Sequence, residues 1–174
     1  MDPAHAQQPM ASLDRRFHVV FNGAIYNFRE LRAELRAAGF SFRTDCDTEV
    51  LLAAYAQWGP QCVHRLRGMF AFAVWDAHKA TLFLARDPFG IKPLYYRQEG
   101  SSLLFASELG ALRDAGIFRP TIDPAAVAAY LGWLAVPAPQ TIHREVLSLH
   151  PGSSLTFGGG RCAVVAQSFL PPTL

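Results

Sequence analysis

Phe17-His18-Val19-Val20-Phe21 is a strand-like run that leads directly into Asn22-Gly23. Asn-Gly is the dipeptide best suited to a tight turn, so a turn is expected where this strand ends. A turn of that kind presents a backbone N–H and a carboxamide side by side, the parts from which a site for a developing oxyanion is built. In isolation the dipeptide is equally the mark of an ordinary hairpin. Asp47 stands before the helical pattern Thr48–Tyr55, where a carboxylate reads as a helix cap. Cys46 precedes it and is expected to be a small, half-exposed residue at a loop end. With Cys62 and Cys162 it makes an odd count without metal-ligand spacing, and the six histidines show no paired spacing, so no metal site is expected.

These residues need a scaffold, and the chain supplies alternating patterns for one. Residues 1–16 are polar and loop-like. Asn27 is placed to cap a helix through Leu31, Leu35 and Ala38, with Glu30 at the capping-box position and Gly39 at the end. Phe40-Ser41-Phe42 reads as a short strand. The helix from Asp47 should end near Gly59-Pro60. From Gly68 the period becomes that of strands, predicted over 69–75, 81–86, 94–97 and 103–106 and joined as an antiparallel meander. Ser107 to Gly116 resembles a helix, with Glu108 at its start, and Asp123-Pro124 opens another that reaches Trp133 or Leu134. Pro137-Ala138-Pro139 marks a break, followed by two short strand candidates, Ser153–Phe157 and Cys162–Gln167. Strands in a run flanked by helices give an α+β layered domain.

A length of 174 residues suits one domain, and 51% hydrophobic residues with 12% aromatics argue against disorder. A net charge of +2 with scattered arginines carries no nucleic-acid footprint. The N-terminus lacks a signal-peptide pattern, and Ala125–Val136, the longest nearly apolar run, is too short to span a bilayer. A reduced, cytoplasmic protein without membrane or nucleic-acid partners is the expectation.

Phe21-Asn22-Gly23-Ala24-Ile25-Tyr26-Asn27, Asp47-Thr48-Glu49, Gly68-Met69-Phe70-Ala71-Phe72 and Ala85-Arg86-Asp87-Pro88-Phe89-Gly90-Ile91-Lys92-Pro93-Leu94-Tyr95-Tyr96 follow one another along the chain. In this order they resemble the glutaminase domain of the asparagine synthetases that use glutamine, a class II glutamine amidotransferase. The resemblance covers about residues 7–157 and implies the four-layer αββα sandwich of the N-terminal-nucleophile hydrolases, here expected to be N-terminally truncated. It also implies a division into an N-terminal segment 1–16, an amidotransferase domain 17–135, and a linker 136–174 toward an absent synthetase domain.

The same resemblance assigns roles. Asn22 and Gly23 match the family's oxyanion hole, one through its side-chain amide and the other through its backbone N–H. Asp47 matches the carboxylate that holds the α-amino group of glutamine, and Ala24 stands at a substrate-contact position where relatives usually carry Glu. Arg86-Asp87 and Lys92 are expected to shape a loop through internal salt bridges. The family's nucleophile is an N-terminal Cys whose own α-amine acts as base, and this sequence begins Met1-Asp2-Pro3. The Arg that binds the glutamine carboxylate in relatives is missing as well. Cys46 is the only thiol near the inferred pocket. No Ser-Gly-Gly-x-Asp-Ser phosphate loop occurs, so no cofactor is expected in this chain; ATP and Mg would belong to the synthetase domain. Three readings stay open. The chain is a piece of an asparagine synthetase, inactive alone; a degenerate binding module that docks on a synthetase; or a piece of a related amidotransferase, such as a β-lactam synthetase or a tailoring enzyme. Partners in these readings are glutamine, weakly held, and a synthetase domain or further copies of the chain.

Overall fold

The computed structural model describes residues 7–167. Its elements in chain order are β1 (Met10–Ala11), β2 (Phe17–Ile25), α1 (Phe28–Ala37), α2 (Asp47–Trp58), a 3-10 helix (Gly59–Arg65), β3 (Gly68–Asp76), β4 (Thr81–Arg86), β5 (Tyr95–Glu99), β6 (Ser102–Ala106), α3 (Leu109–Asp114), α4 (Pro124–Trp133), β7 (Leu147–Ser148), β8 (Ser153–Gly158) and β9 (Arg161–Ala166). They build a six-stranded sheet of order β1-β2-β3-β4-β8-β9 and a three-stranded sheet of order β6-β5-β7. All pairings are antiparallel.

The sequence of β3 explains why two sheets stack. Phe70, Phe72 and Val74 alternate with Ala71 and Ala73, and all five are buried. The large residues face α1 and α2, where they join Val19, Leu35, Val50, Leu51 and Phe83 in one core. The small residues face the second sheet and share another core with Leu84, Leu94, Tyr96, Leu149 and Leu155. A strand buried on both faces must lie between two layers. Helix layer, six-stranded sheet and three-stranded sheet are thus stacked in that order, and α3 packs on β6. This is the expected α+β sandwich.

The four strands predicted from Gly68 are all present, but the expected single meander divides. β3 pairs with β4 and β5 pairs with β6, while β4 and β5 lie in different sheets. The turn between them carries the chain across, and Asp87 holds it. This carboxylate is fully buried and accepts from the backbone N–H groups of Phe70, Phe89, Ile91 and Lys92 at 3.3, 3.0, 3.0 and 2.9 Å. Arg86 does the complementary work on carbonyls, donating to those of Lys92, Gly90 and Leu149 at 2.8, 2.9 and 2.7 Å. The loop is therefore shaped by side chain to backbone clamps, not by the expected salt bridges among Arg86, Asp87 and Lys92.

Two further expectations of local structure are corrected. Phe40-Ser41-Phe42 is not a strand; both rings are spent packing against the first core, and the Phe40 N–H closes on Leu35. Asn27 sits at the start of α1 without capping it, because its amide is occupied in bridging Arg65 and Arg67 ahead of β3. Residues 136–167, expected to lie in a linker, contribute strands to both sheets: β8 pairs with β4, β9 covers β8, and β7 closes the second sheet. Likewise residues 10–11, placed in a loop-like N-terminal segment, pair with β2.

Candidate functional site

β2 continues through Asn22 and Gly23 without turning. Its ladder with β3 runs unbroken from Phe17 opposite Asp76 to Ile25 opposite Gly68, with Asn22 facing Ala71 and Gly23 facing Phe70. The expected Asn-Gly turn is thus overruled by long-range pairing. Glycine serves instead for close approach. A methyl group on Gly23 would drive into the Met69 carbonyl, and one on Gly68 into the Ala24 carbonyl. The two strands are drawn together at this end by a reciprocal pair of glycines.

The ladder also fixes where the backbone groups of β2 point. The Gln8 side chain donates to the Phe21 carbonyl and accepts from its N–H, at 2.9 and 2.6 Å, so Phe21 faces the outer edge of the sheet. Ile25 faces the same way, its N–H donating to Asp47 Oδ2 at 3.0 Å. Gly23 lies midway in the same alternation. Its N–H is therefore held on the outer edge between two occupied neighbours, and no described residue accepts from it. Beside it the Asn22 Nδ2 donates to Ser107 Oγ at 3.3 Å, across the gap between the two sheets. A cleft of about 240 Å³ opens there, lined by Gln8, Val20, Asn22, Ala73, Leu94 and Ser107 among others.

Asp47 is buried as the first residue of α2, and Cys46 precedes it as the capping residue. Asp47 does not cap its own helix: Oδ2 goes to β2, and Oδ1 takes no donor among the described residues. The loop before it is set from both sides. The Glu49 carboxylate accepts from the N–H groups of Arg43 and Thr44 at 2.9 and 2.8 Å. The buried Arg32 guanidinium pairs with Asp45 and donates to the Thr44 carbonyl at 2.7 Å. Glu49 was quoted only as part of the Asp47-Thr48-Glu49 motif and Arg32 was not singled out in the sequence; their partners, the backbone of residues 43 and 44 and the side chains of Thr44 and Asp45, lie in a loop without a periodic signal. Ala24 sits between Gly23 and Ile25 on the same strand.

Cys46 is 2% exposed, not half-exposed as expected. Its Sγ lies 2.9 Å from Thr44 Oγ1, which encloses the thiol within the loop. Cys62 is buried too, and desolvation pushes its thiol up to about 12. Among the described residues, no group of three or more His, Cys, Asp or Glu side chains is arranged to hold a metal ion.

The arrangement brings together three of the anticipated parts. A strand-edge N–H without an acceptor among the described residues, a neighbouring carboxamide and a buried carboxylate with one uncommitted oxygen all lie at one end of β2. Residues 1–169 match the family profile described as a glutamine amidotransferase domain. Asparagine synthetase [glutamine-hydrolyzing] 1 of Bacillus subtilis is 44% identical over 90% of this chain and 24% of its own length. Asparagine synthetase [glutamine-hydrolyzing] 3 of the same organism is 39% identical over 90% of this chain and 26% of its own length. The chain thus spans about a quarter of these relatives. The solved structure of glutamine phosphoribosylpyrophosphate amidotransferase from B. subtilis superposes with a TM-score of 0.67 at 22% identity, covering 94% of this chain and 32% of that one.

Proposed function

The chain belongs to the glutamine amidotransferase domain family, and from that premise we propose that it is the glutamine-handling part of an asparagine synthetase-like system. In this reading the Gly23 N–H and the Asn22 carboxamide receive the oxyanion formed when the glutamine side-chain amide is attacked. Donors fixed in place before the reaction stabilise such charge without reorganisation. The free Oδ1 of Asp47 receives the α-ammonium of glutamine through a charge-assisted hydrogen bond. Ammonia released there would pass to a synthetase partner, which would hold the ATP and Mg; no described residue of this chain is assigned to them. The observation that carries the reading is the N–H of Gly23, unpaired among the described residues and flanked by edge positions that Gln8 and Asp47 occupy.

Cys46 does not serve as nucleophile in this proposal, because it is enclosed by its own loop. The chain as given should therefore bind glutamine weakly and release no useful ammonia. Losing a nucleophile costs on the order of 10⁶-fold in well-studied hydrolases. The test is ammonia release from glutamine, measured for the chain as given, for Cys46→Ala, and for a form extended at its N-terminus by a cysteine-led segment taken from the B. subtilis relative. Activity in the extended form alone is the expected result. Robust release by the chain as given, abolished in Cys46→Ala, would overturn it. An extended form that folds, binds glutamine and stays inert would favour the binding-module reading.

A further inference from the structure

We propose that Gln8 is a positioning residue for the oxyanion site: its carboxamide ends the β1–β2 ladder in place of a backbone peptide and so keeps the Gly23 N–H open. The proposal rests on the role assigned to Gly23 above and adds what holds that group ready. The register of the outer edge carries it. Odd-numbered residues of β2 turn their backbone groups toward β1, and their partners fall at every second residue upstream. The Ser12 N–H donates to the Phe17 carbonyl at 2.9 Å, and Met10 lies opposite Val19. An unbroken ladder would next set residue 8 opposite Phe21 and residue 6 opposite Gly23.

The ladder breaks at residue 8. Both backbone groups of Phe21 are taken by the Gln8 side chain, its carbonyl by Nε2 at 2.9 Å and its N–H by Oε1 at 2.6 Å. A carboxamide offers the donor and acceptor of a peptide, so Phe21 is satisfied as a strand would satisfy it. A side chain, unlike a strand, has no next residue to pair. Gln8 therefore anchors Phe21 without delivering a partner to Gly23 two residues on. The far side is closed by a different group, the Asp47 carboxylate on the Ile25 N–H at 3.0 Å. Phe21 to Ile25 is a stretch of about 14 Å of extended chain, with Gly23 at its midpoint. A ligand atom can reach the Gly23 N–H there while the strand is pinned on both sides of it. Without Gln8, the outer edge of this stretch would be held by Asp47 alone. Gln8 also lines the same cleft as Asn22, so the clamp borders both proposed donors.

The experiment is residue-resolved NMR of the full chain, comparing the wild type with Gln8→Met and Gln8→Glu. In the wild type the Phe21 and Ile25 amides should exchange roughly tenfold more slowly than Gly23, the effect of one hydrogen bond. Gln8→Met should speed Phe21 exchange by a similar factor and move the Gly23 N–H resonance. Gln8→Glu separates hydrogen bonding from packing. Ionised, the introduced carboxyl accepts from Phe21 but cannot donate to it; protonated, it does both. The Gly23 resonance of this variant should be displaced at about pH 7 and return to the wild-type position as the pH falls toward about 4, near the ordinary pKa of a glutamate. The wild type at each pH is the reference, since it carries the same Asp45, Asp47 and Glu49. A Gly23 resonance that is the same in all three proteins overturns the proposal. So does a displacement in Gln8→Glu that does not reverse at low pH, which would leave Gln8 a packing residue only. Neither of these outcomes touches the handling of glutamine. Wild-type Gly23 exchange as slow as that of Ile25 would close the open N–H and overturn the proposed function along with this inference.

Discussion

Replacing Asp87 with asparagine keeps the shape of the side chain and removes half of what it does. One carboxylate oxygen accepts from Phe89 and Ile91 and the other from Phe70 and Lys92. The carboxamide of the Asp87→Asn variant retains only one oxygen. It should keep that oxygen on the buried Phe70 and turn its NH₂ toward Phe89 and Ile91, which lie at the exposed rim of the loop. Two donors then meet two donors. Each N–H left without its acceptor costs about 1 kcal/mol where water can reach it, and the two remaining bonds lose their charge assistance, about 1 kcal/mol together. The sum is about 3 kcal/mol. For a chain of this size that lowers the midpoint of thermal unfolding by roughly 10 °C. Urea unfolding followed by tryptophan fluorescence measures it directly, and the slope against urea should not change. Asp87→Ala, which strands the buried Phe70 N–H as well, should cost more. Lys92→Ala should stay within about 0.5 kcal/mol, because only the backbone of Lys92 is used. An Asp87→Asn loss below about 1 kcal/mol, or a Lys92→Ala loss equal to it, would refute the backbone clamp and restore an ion pair as the organiser of the turn.

Asp76 supplies the clearest pH dependence. The Arg16 guanidinium donates to both its oxygens, at 3.1 and 2.9 Å, and holds its carboxyl down to about 2, with help from the His78 and Lys79 N–H groups. A carboxylate whose pKa is lower in the folded state stabilises the fold above its unfolded pKa, about 4, and loses that contribution as pH falls toward 2. Thermal melts between about pH 5 and 2 should thus fall more steeply for the wild type than for Asp76→Asn; parallel curves would exclude the pair as a contributor. Among the three thiols, Cys162 should be the first modified by a thiol reagent under native conditions, since Cys46 and Cys62 are buried; peptide mass mapping would show it, and early labelling of Cys46 would contradict its enclosure. Glutamine affinity, expected to be millimolar or weaker, should drop a further tenfold or more in Asp47→Asn if the carboxylate meets the ammonium. Calorimetry that finds micromolar binding, or no difference between the two, would remove Asp47 from that role.

The layered fold was legible because burial leaves a period. The alternation of large and small residues in β3 and the Asp123-Pro124 start of α4, where Asp123 accepts from the Ala125 N–H, act over short distances. The failures share one cause. Asn22-Gly23 has the local chemistry of a turn, yet its conformation is decided by Met69 and Phe70, far along the chain. The meander expected from four evenly spaced strands was divided by a carboxylate whose ligands are backbone groups, and these leave no mark in residue type. Asn27 and Asp47 were both read as helix caps and both spend their side chains on other elements. Asn22, Gly23 and Asp47 were picked out by residue type and lie together at one end of β2, whereas the edge position that leaves one N–H without an acceptor among the described residues depends on Gln8, whose role no local pattern announces.

The paired glycines of β2 and β3 bear on how this region can change over time. Each makes room for a carbonyl contributed by the opposite strand, so the spacing between strands is a shared property of both. A side chain at Gly68 would push on the Ala24 carbonyl and so displace the Gly23 N–H, although Gly68 is not itself part of the proposed site. Variation at these two positions is therefore coupled, and neither can relax while the other is held. A survey of substitutions restricted to residues that could touch glutamine would miss this, and would mistake the loss of a strand spacing for the loss of a ligand contact.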